Sequence, residues 1–411
     1  MIHVMLSEVR SPAKAGHRTQ SKHLETRQQW HLRDVLRLHS LYPHRIQAVP
    51  LSMTYIMRIM PTPLLFDLLA FAFSLFLHLL AWKLFPRFHL LDRPAKYGLA
   101  RSPLPYPAGI ASIVAFIGIF MIARPEISFQ DSGLLLSIIL LALMAFIDDR
   151  IELPAWARLL LQIVIGFLLF ATGTRIYTIT NPLGGIFKFD TFDIPSTFFG
   201  PLPLWSGVFT ILWVILTMNA FNWFDGIPGQ VSILSVIGAS AIGGLALSDR
   251  VMQPEIAAIA FILAGIALGS VLFDFPPNKV VMGDTGAMFF GLMLGTLSIY
   301  AGGKVATAFL VLGLPLMDSI LVAITRILRG SSPFKGDLDH LHHRLLKKGW
   351  SERKVIALTV LLGTAFGVSA LFLSTFQKFI AIAILLGVIL LLRHYAHSVR
   401  PPEQTALPPQ P

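Results

Sequence analysis

Apolar runs of roughly twenty residues recur along the chain and alternate with short polar segments. A run of that length can cross the hydrocarbon core of a bilayer as a helix. The runs lie near 62–86, 107–124, 132–147, 155–174, 204–221, 231–248, 255–273, 287–302, 304–325, 355–374 and 378–395. The pattern therefore predicts an all-α, polytopic membrane protein with about ten or eleven transmembrane helices.

The composition supports this prediction and narrows the function. Hydrophobic residues make up 55% of the 411 positions and charged residues 13%, and the mean hydropathy is +0.69. The absence of cysteine excludes disulfides, thiolate metal sites and cysteine nucleophiles. A net charge of +11 does not indicate a nucleic-acid partner, because the basic residues lie mainly in loops between apolar runs. There we expect them to orient the protein in the membrane and to meet phosphates.

Alternation of the spans sorts the loops into two sides of the membrane. One side holds loops 87–106, 148–154, 222–230, 274–286 and 326–354, which carry most of the Lys and Arg residues that follow the first span. The other side holds Arg124, Arg175, Lys188, Arg250, Lys304 and Lys378. The positive-inside rule makes the first side cytoplasmic and predicts a multi-pass protein of the inner (plasma) membrane. On the outside, loop 175–203 contains an apolar-polar stretch, 185–193, that predicts a small hairpin.

The two ends differ from the predicted membrane domain, 54–398. Residues 1–53 form a basic N-terminal extension without the apolar stretch of a signal peptide. We interpret them either as a basic tail or as an over-extended reading frame, whose true start is Met53, Met57 or Met60, and we favour the second. Residues 399–411 are proline-rich and predict a disordered tail.

The third span ends in two adjacent carboxylates, Asp148 and Asp149. Neighbouring carboxylates at a membrane edge repel each other and need a cation or a shared proton. The alternative is a solvated helix end with Arg150 as counter-ion. Taken alone, the pair favours that alternative.

The fifth span closes with Asn219, Asn222, Asp225 and Gly226. Spacings of three place the first three side chains on one stripe if the helix continues to Asp225. Their oxygens are ligands suited to Mg²⁺ and to ribose hydroxyls. The alternative is a C-terminal cap with Gly226 in the left-handed conformation, which leaves two asparagines at membrane depth unexplained. We favour a ligand site.

Asp284 stands between Gly283 and Gly286 at the entry to the eighth span. The glycines permit close backbone approach, and the carboxylate offers a ligand at a helix start. An ordinary N-cap explains the same residues equally well.

A basic loop contains three histidines in four residues, followed by an arginine: His340, His342, His343 and Arg344. Such a group suggests a transition metal at first sight. However, no thiolate is available and the other clusters are oxygen donors, so donors to a pyrophosphate fit better. All four clusters fall on the predicted cytoplasmic side, although the spans were assigned without them. Polar residues concentrated at one membrane face mark a functional site.

These segments, in this order, resemble the polyprenyl-phosphate N-acetylhexosamine-1-phosphate transferase family over about 91–351. The resemblance implies an active site in the cytoplasmic loops. It implies transfer of a sugar-1-phosphate from a nucleotide diphosphate sugar to undecaprenyl or another polyprenyl phosphate, with release of a nucleoside monophosphate. Ser332-Pro333-Phe334 and the histidine segment resemble the teichoic-acid and O-antigen branch more than the phospho-N-acetylmuramoyl-pentapeptide translocase.

The resemblance also implies residue roles, position by position. Asp148 and Asp149 would handle the prenyl phosphate, and His340, His342, His343 and Arg344 would face the diphosphate and sugar as catalytic residues. Asn219, Asn222, Asp225 and Gly226 would bind the nucleotide. Asp284 and Asn222 would hold Mg²⁺, with Mn²⁺ as an alternative ion.

Three positions depart from the family pattern. The usual histidine of the first cytoplasmic loop is replaced by Ala100, and the nearby cations Lys96 and Arg101 are the predicted phosphate-binding residues. Pro228 stands where the family usually has a polar side chain that helps to hold uracil, and Val281 stands where an aromatic residue can stack on the base. We therefore expect an altered grip on the nucleotide base.

Two other classes compete with this interpretation: a transporter and a non-catalytic lipid-phosphate binder. A transporter places ionisable groups near the middle of its spans. Only Asp318 lies clearly inside a span, where it is able to pair with a neighbouring helix. A pentapeptide-translocase-like step is the enzymatic alternative. The expected partners are a polyprenyl phosphate, a nucleotide sugar and the membrane, with a homodimer left open and the sugar not predicted.

Overall fold

The computed structural model describes residues 62–97, 101–181, 184–302, 305–332 and 339–397, all within the unit Pro61–Pro411. The predictions made for 1–53 and for 399–411 lie outside these residues. The described helices are α1 Thr62–Leu84, α2 Gly109–Ala123, α3 Phe129–Ile151, α4 Ala155–Ala171, α5 Leu204–Phe224, α6 Gln230–Leu247, α7 Pro254–Asp274, α8 Gly283–Tyr300, α9 Val305–Val311, α10 Gly313–Leu328, α11 Leu341–Lys347, α12 Glu352–Phe372 and α13 Thr375–His397. Short 3-10 helices cover Phe85–Phe88 and Pro94–Tyr97.

Helices form over every apolar run that the sequence shows. Within the described residues, the helices long and apolar enough to cross a membrane are Pro63–Phe88, Leu204–Phe224, Gln230–Leu247, Pro254–Asp274, Glu352–Phe372 and Thr375–His397. The shorter α2 and α4 are apolar as well. A helix satisfies its own backbone hydrogen bonds, which is why apolar runs in a bilayer take this form. The predicted all-α polytopic fold is confirmed.

One predicted span, 304–325, is not a single helix. It divides into α9 and α10 at Leu312, whose backbone (φ −102°, ψ 14°) leaves helical geometry. Pro315 has no N–H to donate to the carbonyl of Val311, so the hydrogen-bond ladder is interrupted here. The expectation of one continuous helix was wrong at this point.

Helix α8 lies at the centre of the bundle, with its residues buried along nearly its whole length. Its first turn touches the first turn of α2. A Cβ on Gly109 would lie 2.2 Å from the backbone nitrogen of Gly286, so only glycine allows the two helices to meet this closely. This contact brings the loop before α2 against the start of α8.

The loop between α4 and α5 forms two small antiparallel pairs rather than one hairpin. Strand β1 (Thr178–Thr180) pairs with β2 (Ile186–Lys188), and β3 (Asp193–Ile194) pairs with β4 (Leu202–Pro203). The stretch 185–193 supplies β2 and the start of β3, so the predicted hairpin belongs to a larger element.

Candidate active site

A cavity of about 600 Å³ lies where α3, α5 and α7 end and α8 begins. Six acidic side chains line it: Asp92, Asp149, Glu152, Asp225, Asp274 and Asp284. Basic or potentially basic residues on the same wall are Arg93, Arg101, Arg150 and His343. The fold therefore brings together representatives of every polar cluster that the sequence singled out.

Asp149 points into this cavity and is fixed by two hydroxyl groups. Tyr106 Oη donates to Oδ1 at 2.5 Å, and Thr285 Oγ1 donates to Oδ2 at 2.7 Å. Burial raises the pKa of Asp149 to about 7, the nearby charge of Asp284 adds to the rise, and the two hydroxyls oppose it. The sequence offered no signal for Tyr106, whereas Thr285 is adjacent to the predicted Asp284.

Asp148 has a different role from its neighbour. Its Oδ1 accepts the backbone N–H of Leu153 at 2.7 Å, and its Oδ2 accepts Arg158 Nη1 at 3.1 Å. These contacts fix the turn between α3 and α4. The counter-ion of Asp148 is thus Arg158, not Arg150 as the solvated-end alternative supposed. Arg158 also lies 3.8 Å from Asp284 Oδ2, so it links the turn to the cavity.

Asn219 does not reach the cavity in this structure. Its side-chain amide pairs reciprocally with Gln162 of α4, at 2.7 Å and 3.3 Å. Helix α5 ends at Phe224, and Asp225 is its C-cap (φ −77°, ψ 39°), so the expected helical stripe stops before Asp225. The asparagine pair at membrane depth is therefore explained in part by packing between two helices.

Gly226 is required for a close approach, not for a left-handed cap. It is absent from the glycines with positive φ, which excludes the capping alternative. A Cβ at this position would lie 2.0 Å from Nε2 of His342. The glycine therefore lets the histidine segment rest directly on the end of α5.

Asp225 and Asp284, together with Asp149, concentrate negative charge beyond the apolar spans. The pKa of Asp225 is raised well above its usual value by burial and by the charges of Asp274, Asp284 and Asp149. Burial also raises the pKa of Asp284, while the side-chain amide of Asn222 opposes the rise. Carboxylates held this way favour a bound cation, which would offset their mutual repulsion.

Asp274 is a site residue that the sequence analysis missed. Its buried Oδ2 accepts the backbone N–H of Gly229 at 2.9 Å and the hydroxyl of Ser232 at 2.8 Å. It thereby ties the end of α7 to the start of α6. An acid closing an apolar span is the signal that was available for it, as it was for Asp148 and Asp149.

Asp318 anchors the histidine segment rather than serving as an intramembrane relay. Its Oδ2 lies 2.8 Å from Nδ1 of His340, its carboxylate accepts the N–H of Leu341, and its Oδ1 accepts Arg393 of α13 at 2.7 Å. The suggested pairing with a neighbouring helix is confirmed. His340, predicted as catalytic, is buried in this network.

His342 packs between its neighbours, with ring centroids 6.0 Å from His340 and 4.1 Å from His343. Neither of its ring nitrogens has a hydrogen-bond partner among the residues that the structure describes. Burial lowers its pKa to about 3, and the charge of His343 contributes, so His342 is neutral. Arg344 instead donates to the carbonyl oxygen of Asp339 at 2.8 Å, within its own loop. Among the three histidines, His343 is the one that lines the cavity.

Arg101 and Arg150 place positive charge on the cavity wall. Arg101 Nη2 lies 2.6 Å from Asp92 Oδ2. The guanidinium of Arg150 lies over the ring of Phe146, and its buried Nε and Nη2 have no hydrogen-bond partner in the described part of the chain. The side chain of Lys96 lies outside the described residues.

The acids present fit a magnesium ion held partly by a substrate. Within the described ranges, no three His, Asp or Glu side chains are placed to hold a metal ion together. Protein-bound Mg²⁺ commonly takes one or two carboxylates and completes its shell with phosphates and water. Asp284 and the nearby amide of Asn222 supply such a donor pair.

Fold and site together define a multi-pass membrane protein with a carboxylate-rich, partly basic cavity at one end of its helix bundle. Residues 132–302 match the protein-family model described as glycosyl transferase family 4, as the resemblance predicted. The matched region contains Asp148, Asp149, Asn219, Asn222, Asp225, Gly226 and Asp284, whereas the histidine segment and the loop before α2 lie outside it.

Curated relatives extend the similarity beyond that region. The chain is 26% identical over 309 residues to the probable undecaprenyl-phosphate N-acetylglucosaminyl 1-phosphate transferase of Bacillus subtilis (strain 168), covering 74% of this chain and 82% of the relative. It is 32% identical over 239 residues to the decaprenyl-phosphate N-acetylglucosaminephosphotransferase of Mycobacterium leprae (strain TN), covering 52% and 57%. It is 26% identical over 306 residues to the undecaprenyl-phosphate alpha-N-acetylglucosaminyl 1-phosphate transferase of Escherichia coli (strain K12), covering 71% and 78%.

Proposed function

We propose that this protein transfers N-acetylglucosamine-1-phosphate from a nucleotide diphosphate sugar to a polyprenyl phosphate. The observation that carries the proposal is the cavity that Asp149, Asp225 and Asp284 line together with Arg101 and Arg150. Carboxylates for a metal and arginines for phosphates are the groups that phosphoryl transfer requires. The names of the relatives supply the sugar and the lipid.

In this reaction, an oxygen of the prenyl phosphate attacks the phosphorus that bears the sugar. The bond from that phosphorus to the bridging oxygen breaks, and the nucleoside monophosphate leaves. Of the two adjacent aspartates, Asp149 is the one able to accept the proton of the prenyl phosphate, because it lines the cavity while Asp148 holds the α3–α4 turn. A single displacement needs no covalent intermediate on the protein.

Asp284 and Asn222 would hold Mg²⁺, which neutralises phosphate charge when it is bound. Arg150 and Arg101 would bind phosphate oxygens from the cavity wall, since guanidinium groups pair well with phosphates. Asp225 would contact the nucleotide beside Gly226. His343 reaches the cavity and would donate to the diphosphate, while His340 and His342 support it from behind.

The direct test is release of nucleoside monophosphate by the purified full chain, with a panel of nucleotide sugars. Release should require both Mg²⁺ and polyprenyl phosphate, and N-acetylglucosamine should be the sugar transferred. Binding of the lipid without release would indicate a lipid-phosphate binder. Transfer from UDP-N-acetylmuramoyl-pentapeptide would indicate the translocase-like step, and uptake into vesicles without transfer would indicate a transporter.

We further propose that this cavity faces the cytoplasm, where nucleotide sugars are made. The chain has no cysteine, so single introduced cysteines report their side without background. Thr191→Cys, in the exposed loop between β2 and β3, should react with an impermeant thiol reagent in intact cells. Ser331→Cys, after α10, should react only once the membrane is permeabilised. The reverse pattern would overturn the orientation.

A further inference from the structure

A second cavity, of about 660 Å³, lies at the end of the bundle opposite the acid-lined one. Helix α6 begins beside the acid-lined cavity and reaches the second cavity at Leu245, and α8 begins at Gly283 and is followed there by Gly302. The fifteen residue steps of α6 from Gln230 to Leu245 separate the two cavities by about 22 Å at 1.5 Å per residue. The second cavity therefore belongs to a different site.

Two cations line this second cavity. Lys378 is 8% exposed, and its Nζ donates to the hydroxyl of Thr307 at 2.8 Å. Arg250 donates to the carbonyl oxygens of Leu373 and Phe372, at 3.4 Å and 3.5 Å, where α12 ends. The lining residues that the structure describes include no carboxylate, so the wall carries net positive charge.

The position of Lys378 adds to this positive charge. It is the fourth residue of α13, which begins at Thr375, and the positive end of a helix dipole disfavours a cation there. An anion seated in the cavity would offset this unfavourable interaction with the helix dipole.

The rest of the wall suits the hydrocarbon part of an amphiphile. Its larger apolar side chains include Leu245, Phe309, Leu373, Phe379 and Ile382. The same lining includes the hydroxyl-bearing side chains of Thr180 and Ser374. The volume falls within the range of about 300–1,000 Å³ that is usual for small-molecule sites.

We propose that this cavity binds an anionic phospholipid of the surrounding membrane. The head-group phosphate lies between Lys378 and Arg250, and part of one acyl chain covers the apolar wall. Charge complementarity selects the anion, and the apolar side chains of the described lining favour a lipid over a free polar anion. The inference stands independently of the proposed transfer reaction.

The test compares ligands added to the purified full chain in detergent. Phosphatidylglycerol should raise the thermal unfolding midpoint and appear as a bound adduct in native mass spectrometry. Phosphatidylcholine with the same acyl chains and inorganic phosphate should do neither. Equal effects of the two lipids would overturn the role of the cations, and an effect of inorganic phosphate alone would overturn the lipid.

Variants make the assignment specific. Arg250→Gln and Lys378→Met should each weaken retention of phosphatidylglycerol by about fivefold, the usual contribution of one basic residue near anionic lipid. Lys188→Gln, an exposed lysine of β2, should retain the lipid like the unsubstituted protein. If Lys378→Met does not fold, Arg250→Gln carries the test, because its side chain is exposed to solvent. Undiminished retention by Arg250→Gln would contradict the proposal.

Discussion

The two ends of the helix bundle each contain a cavity; the two cavities are similar in volume but opposite in charge. One cavity, of about 600 Å³, is lined by Asp149, Asp225, Asp274 and Asp284, and the other, of about 660 Å³, by Lys378 and Arg250. These four acids come from the ends of α3, α5 and α7 and from the start of α8. Burial raises the pKa of Asp149, Asp225 and Asp284. Lys378 donates a hydrogen bond to the hydroxyl of Thr307 at the start of α9. Arg250 donates to backbone carbonyl oxygens at the end of α12.

The difference shows what each end requires from its surroundings. Buried carboxylates that repel one another are stable only with cations, protons or polar donors, so the acidic cavity is prepared for charged ligands. The basic cavity suits an anion, and its described lining includes neither a carboxylate nor a histidine. Chemistry is therefore expected at the acidic end, and attachment of a ligand at the basic end.

The largest effect should follow removal of single acids at the acidic end. Asp284→Asn and Asp149→Asn should each lower the transfer rate by about a thousandfold, because an amide cannot replace the charge that meets metal or phosphate. The measurement is nucleoside monophosphate release by protein that inserts and purifies normally. Asp193→Asn, an exposed acid of β3, is the matched control and should keep the rate. Retention of more than about a tenth of the rate, which corresponds to about 1.4 kcal/mol of barrier, would contradict the roles proposed for Asp149 and Asp284.

A smaller but still large effect should follow Gly226→Ala. The new methyl group would lie 2.0 Å from Nε2 of His342, so the buried ring and the histidine segment must shift. Displacing groups that position a substrate by about 1 Å can cost about a hundredfold in rate, which we expect here. Gly387→Ala, where a Cβ meets nothing within 4 Å, is the control. An unchanged rate for Gly226→Ala would show that the contact is irrelevant to catalysis.

A third effect concerns the nucleotide base. Pro228 and Val281 depart from the family pattern, and both line the acidic cavity. A missing hydrogen bond is worth about 0.5–1.5 kcal/mol and a missing stack about 1–3 kcal/mol. We therefore expect this site to discriminate among bases tens-fold less well than a site that makes both contacts. Competition by UMP, CMP, GMP and AMP measures this, and a hundredfold preference for UMP would refute it.

The smallest effect should separate the two adjacent aspartates. Asp148→Asn removes the ion pair with Arg158 and weakens the turn at Leu153, so it should lower the free energy of unfolding by about 1–3 kcal/mol. Its transfer rate should fall much less than that of Asp149→Asn. Equal losses of rate with unchanged thermal stability would contradict the distinction between these two residues.

Much of this protein follows from its sequence alone. The length and polarity of each apolar run determine a helix, because a bilayer leaves the backbone no other partner for its hydrogen bonds. The clusters around Asp149, Asp225, Asp284 and His343 are visible as polar groups at the ends of such runs, and the structure brings them to one cavity. The sequence also contains the cause of the helix break within 304–325, because Pro315 cannot donate a backbone hydrogen bond.

What each polar side chain faces was decided only by the tertiary structure. Asp148 and Asp149 are neighbours in sequence, yet one fixes a turn and the other lines the cavity, because successive helical residues point about 100° apart. Asn219 turns to Gln162, and Asp274 joins the site through the packing of α7 against α6. These roles depend on partners distant in sequence, and the spacing of residues along one helix carries no information about them.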